Sequence, residues 1–406
     1  MDIIKIVLKI LYMLAFKSFL IVRLYIVLND YLRIRRKTYN YCGGIKMLLP
    51  KRINPIIKLT ERCNYACEFC RYAIHRQEDS GIEEDLLLKM IRQCISYNKM
   101  NGSYNMNVIF HGGEPLLYGR ERLLSVLEEI SKELDSEFAI EYSIQTNSSL
   151  ITDEWIKVFK EYNFDVGISL DGPESLNGHF GNNREKAVYD ALEIYKKMKN
   201  MGIHCGFLSV ITDKHLENLE EFYNFIIDSE IESIGLCYCY NKFDNDSVNP
   251  VKLGEWLVEL YELYFNAPKR IRIREFDLTT RRILKHPLNA CSMSFREGCG
   301  NYITITPDGT LEFCDDYDLD NGRKNSLGNL RDKSLLQILQ SEQYQRMKKE
   351  SLDIIENKCK DCNVYELCRG GCSRNDIKDG NFFCETYRII YTHIQNKVLN
   401  YLDKRG

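Results

Sequence analysis

At 406 residues, 44% hydrophobic and 28% charged, the chain is long enough for one large domain and a smaller one, and it is neither disordered nor collagen-like. A formal net charge of −3 argues against a general nucleic-acid binder, which carries a strongly basic balance. The 16 cysteines are the outlier. Their spacings, Cys-x3-Cys-x2-Cys and Cys-x2-Cys, suit metal better than disulfides, and no convincing secretory signal opens the chain, so a reducing cytoplasm is expected.

Residues 1–50 form an N-terminal extension. Its first 30 residues are apolar but interrupted by Lys5, Lys9, Lys17 and Arg23, which fall within an arc of about 120° at helical spacing. No apolar run there reaches the roughly 18 residues of a membrane span. The pattern is an amphipathic helix followed by the basic patch "RIRRK". It either packs along the catalytic domain or lies peripherally on an anionic membrane surface through residues 1–40.

From residue 51 to 245 short β-rich runs alternate with helical stretches. Strands are expected at 54–60, 105–110, 138–147, 164–170, 203–212 and 231–238, and helices at 83–100, 119–133, 152–162, 184–201 and 213–229. Regular alternation implies a parallel sheet with helices outside it, an α/β partial (β/α)6 barrel. Such barrels collect chemistry at the C-terminal ends of their strands. The distinctive motifs fall there: "CNYACEFC" after the first strand, "HGGEP" after the second, "QTN" ending the third and "SLDGP" ending the fourth. A polar linker and a helix follow at 246–290, a cysteine-rich domain at 291–390, and a terminal helix at 391–406.

"CNYACEFC" places Cys63, Cys67 and Cys70 in one loop, one thiolate short of a fully ligated [4Fe–4S] cluster. Catalytic zinc also stops at three protein ligands, although histidine or carboxylate is usually among them. Together with the aromatic Phe69 before the third cysteine and "GGEP" at 112–115, the motif resembles the radical S-adenosylmethionine (SAM) enzymes. The resemblance implies that the three cysteines hold a cluster whose open iron is chelated by SAM. It also implies reductive cleavage of SAM to a 5′-deoxyadenosyl radical that abstracts hydrogen, and a reducing donor such as flavodoxin or ferredoxin. Carried over by position, Gly112, Gly113, Glu114, Gln145, Asn147 and Ser169 contact SAM, and Leu208 faces the adenine. The family's arginine after "DGP" is out of register: Gly181 stands in its place and Arg184 lies three residues on, so the carboxylate partner stays unassigned. His111 is expected to be structural.

Residues 291–384 hold a second set of eight cysteines. "CGNYITITPDGTLEFC" puts two thiols on a hairpin around a "PDG" turn, and "CKDCNVYELCRGGC" adds four more before Cys384. Eight thiols suffice for two cubane clusters, whose ligation would stabilise a small domain. This region closely resembles the SPASM extension of radical SAM enzymes. By that resemblance Cys291, Cys299, Cys314 and Cys372 bind one auxiliary [4Fe–4S] cluster, and Cys359, Cys362, Cys368 and Cys384 the other, making three clusters in all. Cys42, Cys94, Cys205, Cys237 and Cys239 are left as core thiols.

Within this group the local match is to anaerobic sulfatase-maturating enzymes, in which an aspartate after the Gly-x4-Cys unit acts as base while a cysteine or serine becomes formylglycine. Asp315 stands at that position, in an acidic loop with Asp316, Asp318 and Asp320. Enzymes that modify ribosomally made peptides share the architecture. The reading favoured from sequence is such a maturase acting on a peptide or protein, with sulfatase maturation as the alternative. An iron–sulfur electron carrier would explain the cysteines but neither "GGEP" nor the barrel.

Overall fold

The β-branched run Asn54–Thr60 becomes a strand (β1) covered on both faces, with Ile57 and Leu59 fully inaccessible. The structure, a computed structural model, describes residues 47–67, 69–70, 81–180, 183–240, 247–286, 296–315, 326–354, 358–377 and 380–403. Beside β1 run β2 (Asn105–Gly112), β3 (Ala139–Thr146), β4 (Asp165–Ser169), β5 (Cys205–Ile211) and β6 (Ser233–Tyr238), each parallel to its neighbour and in chain order. Between them lie α1 (Glu84–Met100), α2 (Arg120–Glu133), α3 (Asp153–Glu161), α4 (Arg184–Asn200), α5 (Asp213–Leu216) and α6 (Leu219–Asp228). Helices that lie outside a sheet must be amphipathic. In α3, Trp155, Ile156, Val158 and Phe159 are buried while the first turn is acidic.

The single helix expected at 213–229 is two. His215 explains the break: its Nε2 lies 3.0 Å from the Asp171 carbonyl and its Nδ1 meets the Thr212 backbone, which ties the short α5 to the strand-four loop before α6 begins.

Past the linker come α7 (Pro250–Phe265), a two-residue strand β7 (Arg272–Ile273) beside β6, and α8 (Arg274–Ile283). The "PDG" turn forms as expected, joining β8 (Tyr302–Ile305) to β9 (Thr310–Glu312), with Gly309 at φ +90°. The hairpin does not stand apart from the barrel. Strand β8 pairs in parallel with β1, Ile57 opposite Ile305, and β10 (Ser326–Asn329) extends β9, so one ten-stranded sheet runs through the boundary drawn at 291. The physical reason is the free edge of β1. An open barrel leaves that edge unpaired, and β8 satisfies its backbone groups.

The C-terminal region continues through α9 (Leu335–Leu339), α10 (Glu342–Ile354) and α11 (Tyr365–Cys368) to α12 (Cys384–Asp403). Helix α12 starts at the last cysteine of the set, earlier than the boundary at 391, and lies on α7. There Thr386 donates to the Pro250 carbonyl (2.6 Å), while His393 and Lys397 meet Glu262 at 2.7 and 2.6 Å. The amphipathic segment 1–40 lies outside the described residues. Among the described residues no helix is long and apolar enough to cross a membrane.

Candidate active site

The loop after β1 is held in place from two sides. From β2, Gly113 donates its N–H to the Thr60 carbonyl (2.9 Å) and Glu114 to the Arg62 carbonyl (2.7 Å). A Cβ on Gly112 would lie 2.3 Å from Thr60 O, and one on Gly113 2.1 Å from Arg62 O, so only glycine permits this approach. From the loop after β4, Phe180 O accepts from Ala66 N (3.0 Å). Phe69 sits edge-on to His179 at 4.8 Å, in a space that a Cβ on Gly178 would fill. Asp171, fully buried, holds that second loop by accepting from Val210 N, Gly178 N and His179. The "QTN" end of β3 adds a third tie, in which Asn147 Nδ2 donates to Asn64 Oδ1 (2.9 Å) and reaches Cys63 Sγ (3.9 Å).

These ties open Cys63, Cys67 and Cys70 onto one cavity of about 300 Å³ at the C-terminal ends of the strands. Burial, then the neighbouring thiols of Cys70 and Cys63, pushes the Cys67 thiol up to about 12. A thiol so placed stays protonated unless a cationic centre draws off its proton, which an iron–sulfur cluster does. Three thiols in one loop facing an open cavity therefore fit a cluster with one free coordination position. Phe69, Gly112, Gly113, Gln145, Asn147, Ser169 and Leu208 all line the same cavity, and Gln145 Nε2 donates to Ser169 Oγ (2.9 Å).

Glu114 differs from expectation. Its carboxylate is fully buried and turned away from the cavity. It accepts from Leu116 N (3.0 Å), Asn147 N (2.8 Å) and Thr146 Oγ1 (2.8 Å), while burial pushes its pKa up to about 7. With three protein donors on its oxygens, this side chain braces the loops of β2 and β3. Arg184 is also outside the cavity lining, stacked over Phe180 at 4.5 Å. Gly181 lies outside the described residues.

Asp315, from the segment after β9, reaches the cavity on the β1 side. Its Oδ1 is 3.6 Å from Lys58 Nζ and its Oδ2 is 3.5 Å from His111 Nδ1. Lys58 and His111 are register partners on β1 and β2, and Lys58 Nζ donates to Glu312 at 2.9 Å. His111, expected to be structural, thus lines the cavity and faces Asp315. Lys58 was not singled out by the motifs, although a lysine inside the apolar run "NPIIKLT" was a signal. Arg374 brings a guanidinium to the β6 wall, donating to the Tyr240 carbonyl (2.9 Å). Cys237 and Cys239, expected in the core, line the cavity as well. They are two residues apart at the end of β6 and so share its inward face. Cys94 is buried as expected, and Cys205 is half-buried.

A second cavity, of about 330 Å³, gathers Cys359, Cys362, Cys368 and Cys384, the four grouped for one auxiliary cluster. Of the other four, Cys291 lies outside the described residues. Cys299 lies 3.3 Å from the Ser373 hydroxyl, next to Cys372 in the chain, and both thiols lie near the fully buried Arg296. That arginine is fixed by Asp376 and by the carbonyls of Gly370 and Ser351. Asp316, Asp318, Asp320 and Cys42 lie outside the described residues.

The chain is similar to known proteins over most of its length. A model of the radical SAM superfamily matches residues 57–226, and one of the iron–sulfur cluster-binding SPASM domain matches 297–363. The chain is 27% identical to a cysteine-type anaerobic sulfatase-maturating enzyme of Clostridium perfringens, over 83% of this chain and 95% of that protein. It is 25% identical to a serine-type enzyme of Bacteroides thetaiotaomicron, over 82% and 86%. Among solved structures, native anSMEcpe with bound AdoMet and Cp18Cys peptide superposes with a TM-score of 0.75 at 23% identity, over 87% of this chain and all of that one. Streptococcus suis SuiB bound to precursor peptide SuiA gives 0.58 at 18% identity, over 83% and 76%.

Proposed function

The chain is a radical SAM enzyme with a C-terminal SPASM extension, and on that footing we propose that it oxidises a side chain of a peptide or protein substrate, with Asp315 taking the proton. SAM and iron–sulfur clusters are its cofactors. Cys63, Cys67 and Cys70 would hold the SAM-binding cluster, and the eight cysteines between 291 and 384 two auxiliary clusters, three in total. When bound, these groups supply a hydrogen-abstracting 5′-deoxyadenosyl radical and an acceptor for one electron. A donor of the flavodoxin or ferredoxin class would reduce the enzyme.

The observation that carries this reading is the single cavity shared by the three thiols, the expected SAM-contact positions other than Glu114, and Asp315. Removing one hydrogen atom, one proton and one electron leaves a Ser side chain as the aldehyde and a Cys side chain as a thioaldehyde, which water hydrolyses to the aldehyde with release of hydrogen sulfide; the proton needs a base within hydrogen-bond reach. Asp315 lies half-buried at the wall between barrel and extension, with Lys58 on one side of its carboxylate and His111 on the other. Burial draws Lys58 down, but the Asp315 and Glu312 carboxylates outweigh it and hold the ammonium charged. The Lys58 ammonium thus lies beside the carboxylate that would serve as base. Gln145 and Ser169 orient polar groups on the opposite strands, while Leu208 and Val210 give that wall an apolar surface.

Sulfatase-type oxidation fits a cavity that holds this acid, and the curated relatives reported above carry that activity in their names. Maturation of a ribosomal peptide is the second reading, supported by the same fold in a protein solved with its precursor peptide. The test incubates the reduced enzyme with SAM and with the Cp18Cys peptide or its serine counterpart. Asp315→Asn should lower aldehyde product by on the order of 10²–10⁴-fold while 5′-deoxyadenosine still forms. Equal product from wild type and variant would remove Asp315 from the reaction. Turnover of neither peptide by the wild type would favour the second reading.

A further inference from the structure

Lys58 is a charged side chain in the middle of a strand covered on both faces, only 2% exposed, and it is not among the side chains lining the cavity. A lone ammonium at such a place is costly, and it persists where partners compensate it. Two of its partners come from the extension: Glu312 at 2.9 Å, itself 5% exposed, and Asp315 at 3.6 Å. His111, opposite Lys58 in the β1–β2 register, approaches the other oxygen of Asp315 at 3.5 Å. Two barrel side chains thus bracket an acid delivered by a different part of the chain, with Glu312 as a second anchor.

We infer that Lys58 is a positioning residue for the reaction: its ammonium, held by Glu312, draws the Asp315 carboxylate over the cavity and keeps it where a substrate proton can be taken. The inference rests on the reading of Asp315 as base. It also assigns the neighbouring groups distinct tasks. Glu312 balances the buried charge and fixes Lys58, while Asp315 stays at the cavity wall, with its second oxygen toward His111. Without the ammonium, Asp315 loses the cation that holds it at the wall, and as the more exposed of the two acids it would turn toward solvent.

Removing Lys58 alone strands two acids and could unfold the site, so the informative variant removes the Lys58–Glu312 pair together. Replacing both partners of a buried pair by apolar side chains of similar size is often neutral for stability. Lys58→Met with Glu312→Leu should therefore retain the fold and its iron, yet lower the ratio of aldehyde product to 5′-deoxyadenosine with Cp18Cys peptide by about tenfold or more. Lys58→Arg should recover much of the ratio. A purely structural role predicts the opposite, a wild-type ratio once the charge-balanced double variant is folded. A crystal structure of the double variant is the arm that needs no substrate: the Asp315 carboxylate should have left the cavity wall, and finding it in place would overturn the inference. Failure of the underlying reading looks different, because Asp315→Asn would then couple normally. Uncoupling by Asp315→Asn alongside normal coupling in the double variant would refute the role of Lys58 and leave the base intact.

Discussion

Glu114 is a fully buried acid that ties two loops of the site together. Its oxygens accept three protein donors, so Glu114→Ala would leave those donors buried and unpaired at about 1–3 kcal/mol each and would free the β2 and β3 loops. Its protonation gives a sharper test. Burial raises its pKa from 4.5 to about 7, so the folded state prefers the protonated form. The unfolded chain loses that proton near pH 4.5, and the folded protein only near 7. Stability therefore falls as pH rises between those values and is flat beyond, by on the order of 3 kcal/mol in all. Glu114→Gln, neutral throughout, should abolish that part of the slope. Thermal melts of anaerobically loaded protein at pH 5, 6, 7 and 8 would show it, and parallel curves for wild type and variant would contradict the assignment.

Strand ends and the loops they carry are the elements that build the site, and backbone contacts rather than side chains set their spacing. The approach of β2 to the cysteine loop runs through Gly113, whose missing Cβ leaves room for the carbonyls of Arg62 and Glu61. Gly113→Ala must push those carbonyls back and break the bonds from Gly113 N to Thr60 O and from Glu114 N to Arg62 O. The variant is expected to bind SAM at least about tenfold more weakly, a loss of roughly 1.4 kcal/mol, and to cleave it correspondingly less, while iron at the auxiliary sites persists. Equilibrium binding of SAM to the loaded protein measures this. Unchanged affinity would show that the loop tolerates the shift. The same reasoning explains α5 and α6, where a buried histidine bonded to the Asp171 carbonyl overrode a continuous helical pattern.

Across the whole molecule, barrel and extension share one sheet, so their stabilities are coupled through β1 and β8. Replacing Cys63, Cys67 and Cys70 together by alanine should remove only the SAM-binding cluster, leaving about eight of roughly twelve irons and the brown colour, with SAM cleavage abolished. Iron analysis with a 5′-deoxyadenosine assay would check it, and residual cleavage would reassign the cluster. Truncation before β8 should do far more. It strips the edge of β1 and the pairing of α12 with α7, so insoluble protein is expected rather than a free barrel.

The order and type of the barrel elements were legible in the sequence because they follow from local periodicity. Strand β1 was found at its observed ends, and the other five within a few residues of theirs. The cysteine loop, "GGEP" and "QTN" were legible for a related reason: each is a short contiguous motif at a strand end, and parallel topology then brings those ends together. What needed the tertiary structure were relations between segments far apart in the chain. Lys58 meets Glu312 across 254 positions, Cys237 and Cys239 turn inward instead of into the core, and β8 closes the edge of β1. Periodicity fixes which face a residue takes on its own element, but not which distant element arrives to cover it. The charged cluster around Asp315 exists only once the extension has docked on the barrel.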